Sequence, residues 1–177
     1  MADPLDRVAR AFLARHRVAR LATADHAATP HVVPFCYAVS GSGIYFVVDE
    51  KPKRPTGRPL KRMRNLVENP SVAFVVDDWS ENWAKLAFLL VRGRATVVAD
   101  DRERARALRA LRARYPQYRA MRLDDGGEHP VVRIDPTYVH LWRAALMRRV
   151  AAGRSPRPSA RADRPTPRPR RSPPPRR

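Results

Sequence analysis

The sequence predicts a mainly β domain with peripheral helices, in which six antiparallel strands form a closed sheet. Most apolar segments are short and rich in β-branched and aromatic residues, and the first strands follow one another through short polar turns. Three other segments space their apolar residues as helices do, which adds three helices. Closure is favoured because a closed sheet leaves no edge strand unpaired.

The first 48 residues predict one helix and three strands. Asp3-Pro4 is typical of a helix start, and the apolar residues after it have helical spacing over residues 4–15. The strands are predicted at 17–24, 30–39 and 44–48, separated by a turn at 25–28 and by the hairpin turn Ser40-Gly41-Ser42-Gly43.

The rest of the domain predicts two helices and three strands. Residues 60–69 place apolar side chains on one helical stripe, which ends at Asn69-Pro70 because proline cannot continue a helix. The other helix spans 100–115 and is capped by Asp100 or Asp101. The strands are predicted at 71–76, 86–98 and 131–142, with Gly93 as a bulge in the middle one.

The composition excludes several classes of protein. The single cysteine, Cys36, excludes an intrachain disulfide scaffold, and no apolar run approaches the ~18 residues of a membrane span. The N-terminal residues lack a signal-peptide pattern, so we expect a cytoplasmic protein.

The usual motifs of catalytic chemistry are also absent. The sequence contains neither the glycine pattern of a dinucleotide site nor a P-loop, and its five histidines have no metal-ligand spacing. Cys36 is interpreted as a small buried hydrophobe rather than a nucleophile. We therefore predict no metal and no catalytic side chain, and we assign any catalysis to a bound cofactor.

Positive charge is the most unusual property of the chain, which has a net charge of +19 with 32 arginines and 4 lysines. Residues 151–177 hold nine arginines and eight prolines against one aspartate, with no Leu, Ile, Val or aromatic residue. Such a segment cannot bury enough apolar surface to offset the entropy of ordering. We therefore predict one domain at 1–150 and a disordered Arg/Pro-rich tail at 151–177, which binds nucleic acid only non-specifically because it lacks aromatic residues.

The strongest local signal is a basic cluster between the third strand and the second helix. Residues 49–64 contain seven basic residues against two acidic ones, Asp49 and Glu50. The free backbone N–H groups of a helix start and the basic side chains together favour an anion site. The alternative interpretation is a solvated basic loop without a ligand.

Aromatic residues give a second, weaker signal. Trp79 and Trp83 lie in the predicted loop between two strands, and Trp142 ends the last strand. Tryptophans at strand ends can wall a planar ligand, fill a dimer interface or pack in the core.

Six segments, taken in order, resemble one known superfamily. They are Val18–Thr23, Pro30–Pro34, Ile44–Arg54 with its Asp-Glu-Lys-Pro-Lys run, Arg64–Pro70 with its Arg-Asn-Leu-Val-Glu-Asn-Pro run, Asp77–Trp83, and Arg114–Tyr118. Together they resemble the pyridoxamine 5′-phosphate oxidase-like flavin and deazaflavin superfamily. They resemble most its actinobacterial branch of coenzyme F420-dependent oxidoreductases, over about residues 18–142.

The resemblance implies an antiparallel six-stranded split β-barrel, the FMN-binding split barrel, that forms a homodimer with its cofactor sites at the interface. The implied cofactor is coenzyme F420, with FMN as the alternative, and the implied substrate is a small organic molecule. The residues implied to bind the cofactor are His31, Val32, Val33 and Pro34 along the ring, Val47 and Val48 near the ribityl chain, and Lys51, Lys53 and Arg62 at the phosphate. The resemblance implies no catalytic side chain.

Three segments depart from the family pattern. The loop at 54–59 is longer than expected, which can displace Arg62 from the phosphate. The segment 86–91 lacks the usual tryptophans at its start, and the turn 25–28 lacks the usual glycine.

Four functions follow as alternatives. The first is an F420-dependent oxidoreductase that transfers a hydride between the deazaflavin and a small organic substrate. The second is an FMN-binding flavin oxidoreductase of the same fold. The third is a protein that binds nucleic acid or another acidic partner through its charge. The fourth is an F420-binding protein without turnover.

Overall fold

The computed structural model describes residues 4–49, 59–124 and 128–144 of the chain. These residues form three α-helices, α1 (Arg7–Arg15), α2 (Lys61–Glu68) and α3 (Asp101–Arg114). They also form seven strands: β1 (Val18–Ala24), β2 (Pro30–Cys36), β3 (Ala38–Ser40), β4 (Gly43–Val47), β5 (Ser71–Asp78), β6 (Ala87–Val97) and β7 (Val131–Arg143). The predicted tail at 151–177 lies outside the described residues.

The strands form one antiparallel sheet in the order β2-β1-β5-β6-β7-β4-β3. Its two ends, β2 and β3, are consecutive in the chain and are separated only by Tyr37. The two end strands of the sheet are therefore joined by a single residue and the sheet curls round on itself, which confirms the predicted split β-barrel. The strand count is seven rather than the predicted six, because the strand expected at 30–39 is interrupted at Tyr37.

The interruption at Tyr37 has a specific hydrogen-bonding cause. The Tyr37 N–H donates to the hydroxyl oxygen of Tyr115 at 3.0 Å, and that oxygen lies 2.8 Å from the Tyr37 carbonyl and 2.7 Å from the Arg17 carbonyl. One phenol thus replaces the neighbouring strand at the point where the chain leaves β1 at the end of β2 and joins β4 as β3. A buried backbone group without a partner would cost about 1–3 kcal/mol.

Two apolar cores lie on opposite sides of the sheet. The larger core fills the barrel and includes Phe12, Leu21, Phe46 and Phe74. The smaller core lies between α3 and the outer side of β3 and β4. Because α3 covers only this part of the outer side, no described α-helix packs over the outer side of β2, β1, β5, β6 and the C-terminal half of β7; we call this the uncovered face.

Aspartates cap the N-termini of α1 and α3, although the cap of α1 is not the predicted one. Asp100 accepts from the Glu103 N–H at 2.6 Å and caps α3 as predicted. The first helix begins at Arg7 instead of residue 4, because its cap is Asp6, which accepts from the Ala9 N–H at 2.7 Å. No helix among the described residues is long and apolar enough to cross a membrane.

The turn between β1 and β2 is tied to α2 by charge. Asp25 accepts from the Thr29 N–H at 2.9 Å and pairs with Lys61 at 2.7 Å, and these contacts, that with Lys61 first, lower the pKa of Asp25 to about 2. Ala28 takes the left-handed conformation, with φ of 60°. The glycine missing from this turn is thus replaced by an alanine in a backbone conformation that glycine favours.

Candidate functional site

A group of polar side chains lies at the end of β2, where the chain passes from β1 to β4. Cys36, the last residue of β2, pairs with Val18 of β1, whereas Ala38 of β3 pairs with Tyr45 of β4. The barrel is therefore split beyond Cys36, next to the residues that follow β4. We call Cys36, Asp49, Arg62 and Tyr118 the gap cluster, because their side chains interact there.

The buried part of the gap cluster is held by Tyr118. Its hydroxyl donates to Asp49 Oδ2 at 3.2 Å, and both residues are buried. Burial raises the pKa of Tyr118, and Cys36 and Asp49 raise it further. The phenol therefore stays protonated and remains a hydrogen-bond donor at neutral pH.

Arg62, predicted to contact the phosphate, is the cationic member of the gap cluster. It lies in the first turn of α2, and burial lowers its pKa although Asp49 and Tyr118 act in the opposite direction. Its Nε is buried and has no hydrogen-bond partner among the described residues. A guanidinium in this state keeps its charge and has a donor to offer. The gap cluster therefore fits an anionic group such as a phosphate.

A cavity of about 560 Å³ adjoins the gap cluster. Cys36 and Tyr118 belong to both, and the rest of the cavity wall is largely apolar. The other lining residues are Arg17, Val18, Tyr115, Pro116, Gln117 and Met121. Its volume falls within the usual range for sites that bind small molecules.

The residues predicted to line the ring alternate between the two sides of β2. Val32 and Pro34 lie on the uncovered face, and Val32 is 60% exposed. Val33 packs against the barrel core. His31 is half-buried, and its carbonyl accepts from the Thr23 hydroxyl at 3.5 Å. Only the outer side of β2 is therefore open to a ligand along its length.

The residues predicted near the ribityl chain are buried. Val47 packs in the smaller core under α3, and the Val48 N–H donates to the Pro130 carbonyl at 3.1 Å. Val48 precedes Asp49, so it borders the gap cluster. Lys51 and Lys53 lie outside the described residues. The structure thus brings Arg62 close to the end of β4. Val32 and Val47 both lie on the outer side of the sheet, but Val32 is on the uncovered face and Val47 is buried under α3.

A second concave region, which we call the trough, crosses the uncovered face beside β2. It has a volume of about 630 Å³. Its floor is made of the small residues Ala22, Ala24, Ser71 and Ala73 on β1 and β5, and its far wall carries Arg92 and Arg94 on β6. Small side chains make a flat surface on which a planar molecule can lie.

The tryptophans do not share one environment. Trp79 and Trp83 are 70% and 71% exposed in the β5–β6 connection. Trp142 stacks on Phe88 of the neighbouring strand, with ring centroids 5.4 Å apart. The first two are therefore available to a ligand or a second chain, whereas the third packs on the uncovered face.

Sequence reasoning did not single out Tyr118, Asp49, Arg92 or Arg94. Tyr118 ends the segment Arg114–Tyr118, which contributed to the resemblance, and Asp49 was counted only as an acid among bases. The signal for the two arginines was their alternation with Gly93 in a strand, which puts both on one face. Among residues 4–49, 59–124 and 128–144, no group of three or more His, Cys, Asp or Glu could hold a metal ion.

Comparison with protein families gives one match, and it spans most of the chain. The family model described as pyridoxamine 5′-phosphate oxidase matches residues 5–143. No curated protein matches the sequence.

Solved structures share the fold at low sequence identity. The conserved hypothetical protein Rv2991 from Mycobacterium tuberculosis superimposes with a TM-score of 0.61 at 21% identity, covering 92% of this chain and 97% of that one. The heme storage protein HutZ from Vibrio cholerae gives a TM-score of 0.60 at 17% identity, covering 78% and 94%. A FAD-binding protein from Mesorhizobium loti gives 0.54 at 24% identity, covering 74% and 87%. At these identities the likeness establishes the architecture alone.

Proposed function

The chain belongs to the pyridoxamine 5′-phosphate oxidase family, and from this membership we propose that it is a coenzyme F420-dependent oxidoreductase. The reaction is hydride transfer between the deazaflavin and a small organic substrate. The observation that carries the proposal is the buried Nε of Arg62, which has no partner among the described residues and points to an absent anionic group.

In this proposal the chain binds and orients the cofactor and supplies no catalytic side chain. Arg62 contacts a phosphate, together with Lys51 and Lys53, and the segment His31–Pro34 lies along the ring. When bound, the deazaflavin donates or accepts the hydride. The buried phenol of Tyr118 donates a hydrogen bond to Asp49. The negative charge of this carboxylate, which lies beside Arg62, is therefore already stabilised.

Charge is the reason to prefer coenzyme F420 over FMN. F420 carries a phosphodiester and a glutamate tail, so it is more anionic than FMN. Residues 49–64 hold seven basic side chains, and each charge-assisted contact is stronger than a neutral one. FMN binding by the same fold and F420 binding without turnover are the alternatives that the following experiment separates.

Substitution of Arg62 tests the cofactor site. We expect the full chain to bind F420 in a fluorescence titration more tightly than FMN, and Arg62→Gln to weaken F420 binding by about 10–100-fold, because one charge-assisted contact is lost. The control is Arg109→Gln, an exposed arginine of α3 outside residues 49–64, and it is expected to leave the affinity unchanged.

Each outcome of this titration has a definite meaning. Preferential FMN binding would replace the proposal with the FMN alternative, and binding of neither cofactor would overturn both. Equal affinity of Arg62→Gln and the wild type would remove Arg62 from the phosphate site. F420 binding without oxidation of reduced F420 by quinone or enone substrates would favour the binding protein without turnover.

We also propose that a second copy of the chain packs on the uncovered face and leaves the trough open as a cleft between the two copies. Tyr138 on this face is 46% exposed and Val32 is 60% exposed, in a part of the sheet that no described α-helix covers. Sedimentation of the full chain is expected to give a dimer, which Val32→Glu shifts toward monomer because it places a carboxylate in the interface. Val67→Glu, on the 85% exposed residue of α2, is the control. A monomeric wild type would contradict this proposal.

A further inference from the structure

We propose that the trough is the substrate subsite and that Arg92 and Arg94 bind an anionic group of the substrate. The substrate class is therefore a planar organic molecule that carries a carboxylate, sulfonate or phosphate. This inference rests on the proposed function for the hydride chemistry, whereas the anion subsite itself is a property of the chain that can be tested without the cofactor.

The strand register aligns the trough with the strand proposed to carry the cofactor ring. Val32 on β2 is opposite Ala22, Ala22 is opposite Ala73, and Ala73 is opposite Arg92. Neighbouring strands lie about 4.8 Å apart, so Arg92 is about 14 Å from Val32 across the two alanines. A molecule with two or three fused rings fits this distance, with one end at β2 and the other at the arginines.

The two arginines have charge that no described carboxylate neutralises. Both are exposed on the same side of β6, and no carboxylate oxygen of residues 4–49, 59–124 or 128–144 forms an ion pair with either. Arg20 on the same face differs, because it pairs with Asp77 at 3.1 Å.

The acidic residue opposite Arg94 is already bound elsewhere. Asp135 is the cross-strand neighbour of Arg94 on β7, but its carboxylate accepts from Arg133 Nε at 2.7 Å. Arg92 lies over the ring of Tyr138, with its guanidinium carbon 5.2 Å from the ring centroid. This contact holds the guanidinium plane without using its N–H groups, which stay available to a ligand.

The remaining wall of the trough also favours a charged oxygen ligand. Ser71, Asn69 and Thr137 contribute short polar side chains. Alternate residues of a strand are about 6.6–6.8 Å apart, so two guanidinium groups on Arg92 and Arg94 can converge on one anionic group. Because the floor is made of alanine and serine, an apolar ring can lie above it while its anion reaches β6.

The test uses two quinones that differ in charge. The anionic probe is 1,4-naphthoquinone-2-sulfonate and the neutral probe is 2-methyl-1,4-naphthoquinone. Calorimetric titration of the full chain without cofactor is expected to show binding of the sulfonate, weakened about 10–100-fold in the double variant Arg92→Gln/Arg94→Gln. The neutral quinone is expected to bind the wild type and the double variant equally. Arg102→Gln, an exposed arginine of α3, is the matched control.

The outcomes separate this inference from the proposed function. Absent sulfonate binding, an unchanged affinity in the double variant, or an equal loss for the neutral quinone would overturn the subsite. Loss of binding accompanied by dissociation of a dimer in sedimentation would also overturn it, since the arginines would then hold the second copy. If the sulfonate requires both arginines but F420 does not bind, the subsite is supported and the proposed function fails.

Discussion

Gly93→Ala is expected to destabilise the protein by about 3 kcal/mol, because a Cβ at this position has no space. It would lie 2.4 Å from the backbone oxygen of Asp135 and 3.0 Å from Ile134 Cγ2. A backbone oxygen cannot rotate away as the end of a side chain can, so β6 or β7 must move. A register shift lies at Arg92/Gly93, where a bulge was predicted, but the extra residue is Thr137 on β7 rather than a residue of β6. Urea unfolding followed by circular dichroism measures the effect.

Gly41→Ala is the control that separates steric conflict from backbone conformation. Gly41 has φ of +59°, and a Cβ there would meet nothing within 4 Å. Its substitution is expected to cost about 1 kcal/mol, from the left-handed conformation alone. Equal losses of stability for the two variants would contradict the close approach at Gly93.

Arg114→Ala is expected to lower the free energy of unfolding by about 3 kcal/mol, because this side chain caps α1 from the end of α3. Its guanidinium donates to the carbonyls of Leu13 at 2.8 Å and Ala14 at 3.2 Å, and to that of His16. It also lies over the ring of Tyr37, 5.1 Å from the centroid. The C-terminal carbonyls of a helix have no partner within the helix, and a cation there is favourable.

Two further variants identify the contribution of Arg114. Arg114→Lys keeps the charge but lacks the planar fork that reaches several carbonyls, so an intermediate loss of about 1–2 kcal/mol is expected. Arg109→Ala, at an exposed position of the same helix, is expected to change stability by less than about 0.5 kcal/mol. Similar unfolding curves for Arg114→Ala and Arg109→Ala would contradict the capping role.

The local elements were predictable because their signals are local. Hydrophobic periodicity and capping residues place β1, β5, β6, β7 and the three helices within a few residues of their observed bounds. The break at Tyr37 was not predictable, since nothing in 30–39 interrupts the strand pattern. Its cause is the Tyr115 hydroxyl, which is 78 residues away in the sequence.

The candidate site was predictable in part for the same reason. The excess of basic residues near α2 pointed to an anion site, and Arg62 lies in the gap cluster. The clustering of Cys36, Asp49 and Tyr118 around it depends on three separate elements meeting where the barrel splits. Cofactor contacts of His31, Val32, Val33, Pro34, Val47, Val48, Lys51 and Lys53 stay predictions.

The amino-acid sequence by itself determined the mainly β class, the order of the helices and strands, the excess of positive charge and the family resemblance. Each depends on the identity and spacing of neighbouring residues. Only the tertiary structure decided that Arg62 has a buried donor to offer and that Arg92 and Arg94 face β2 across a floor of small residues. These properties depend on strand register and on contacts between distant segments, and a shift of one residue would turn every side chain to the other face.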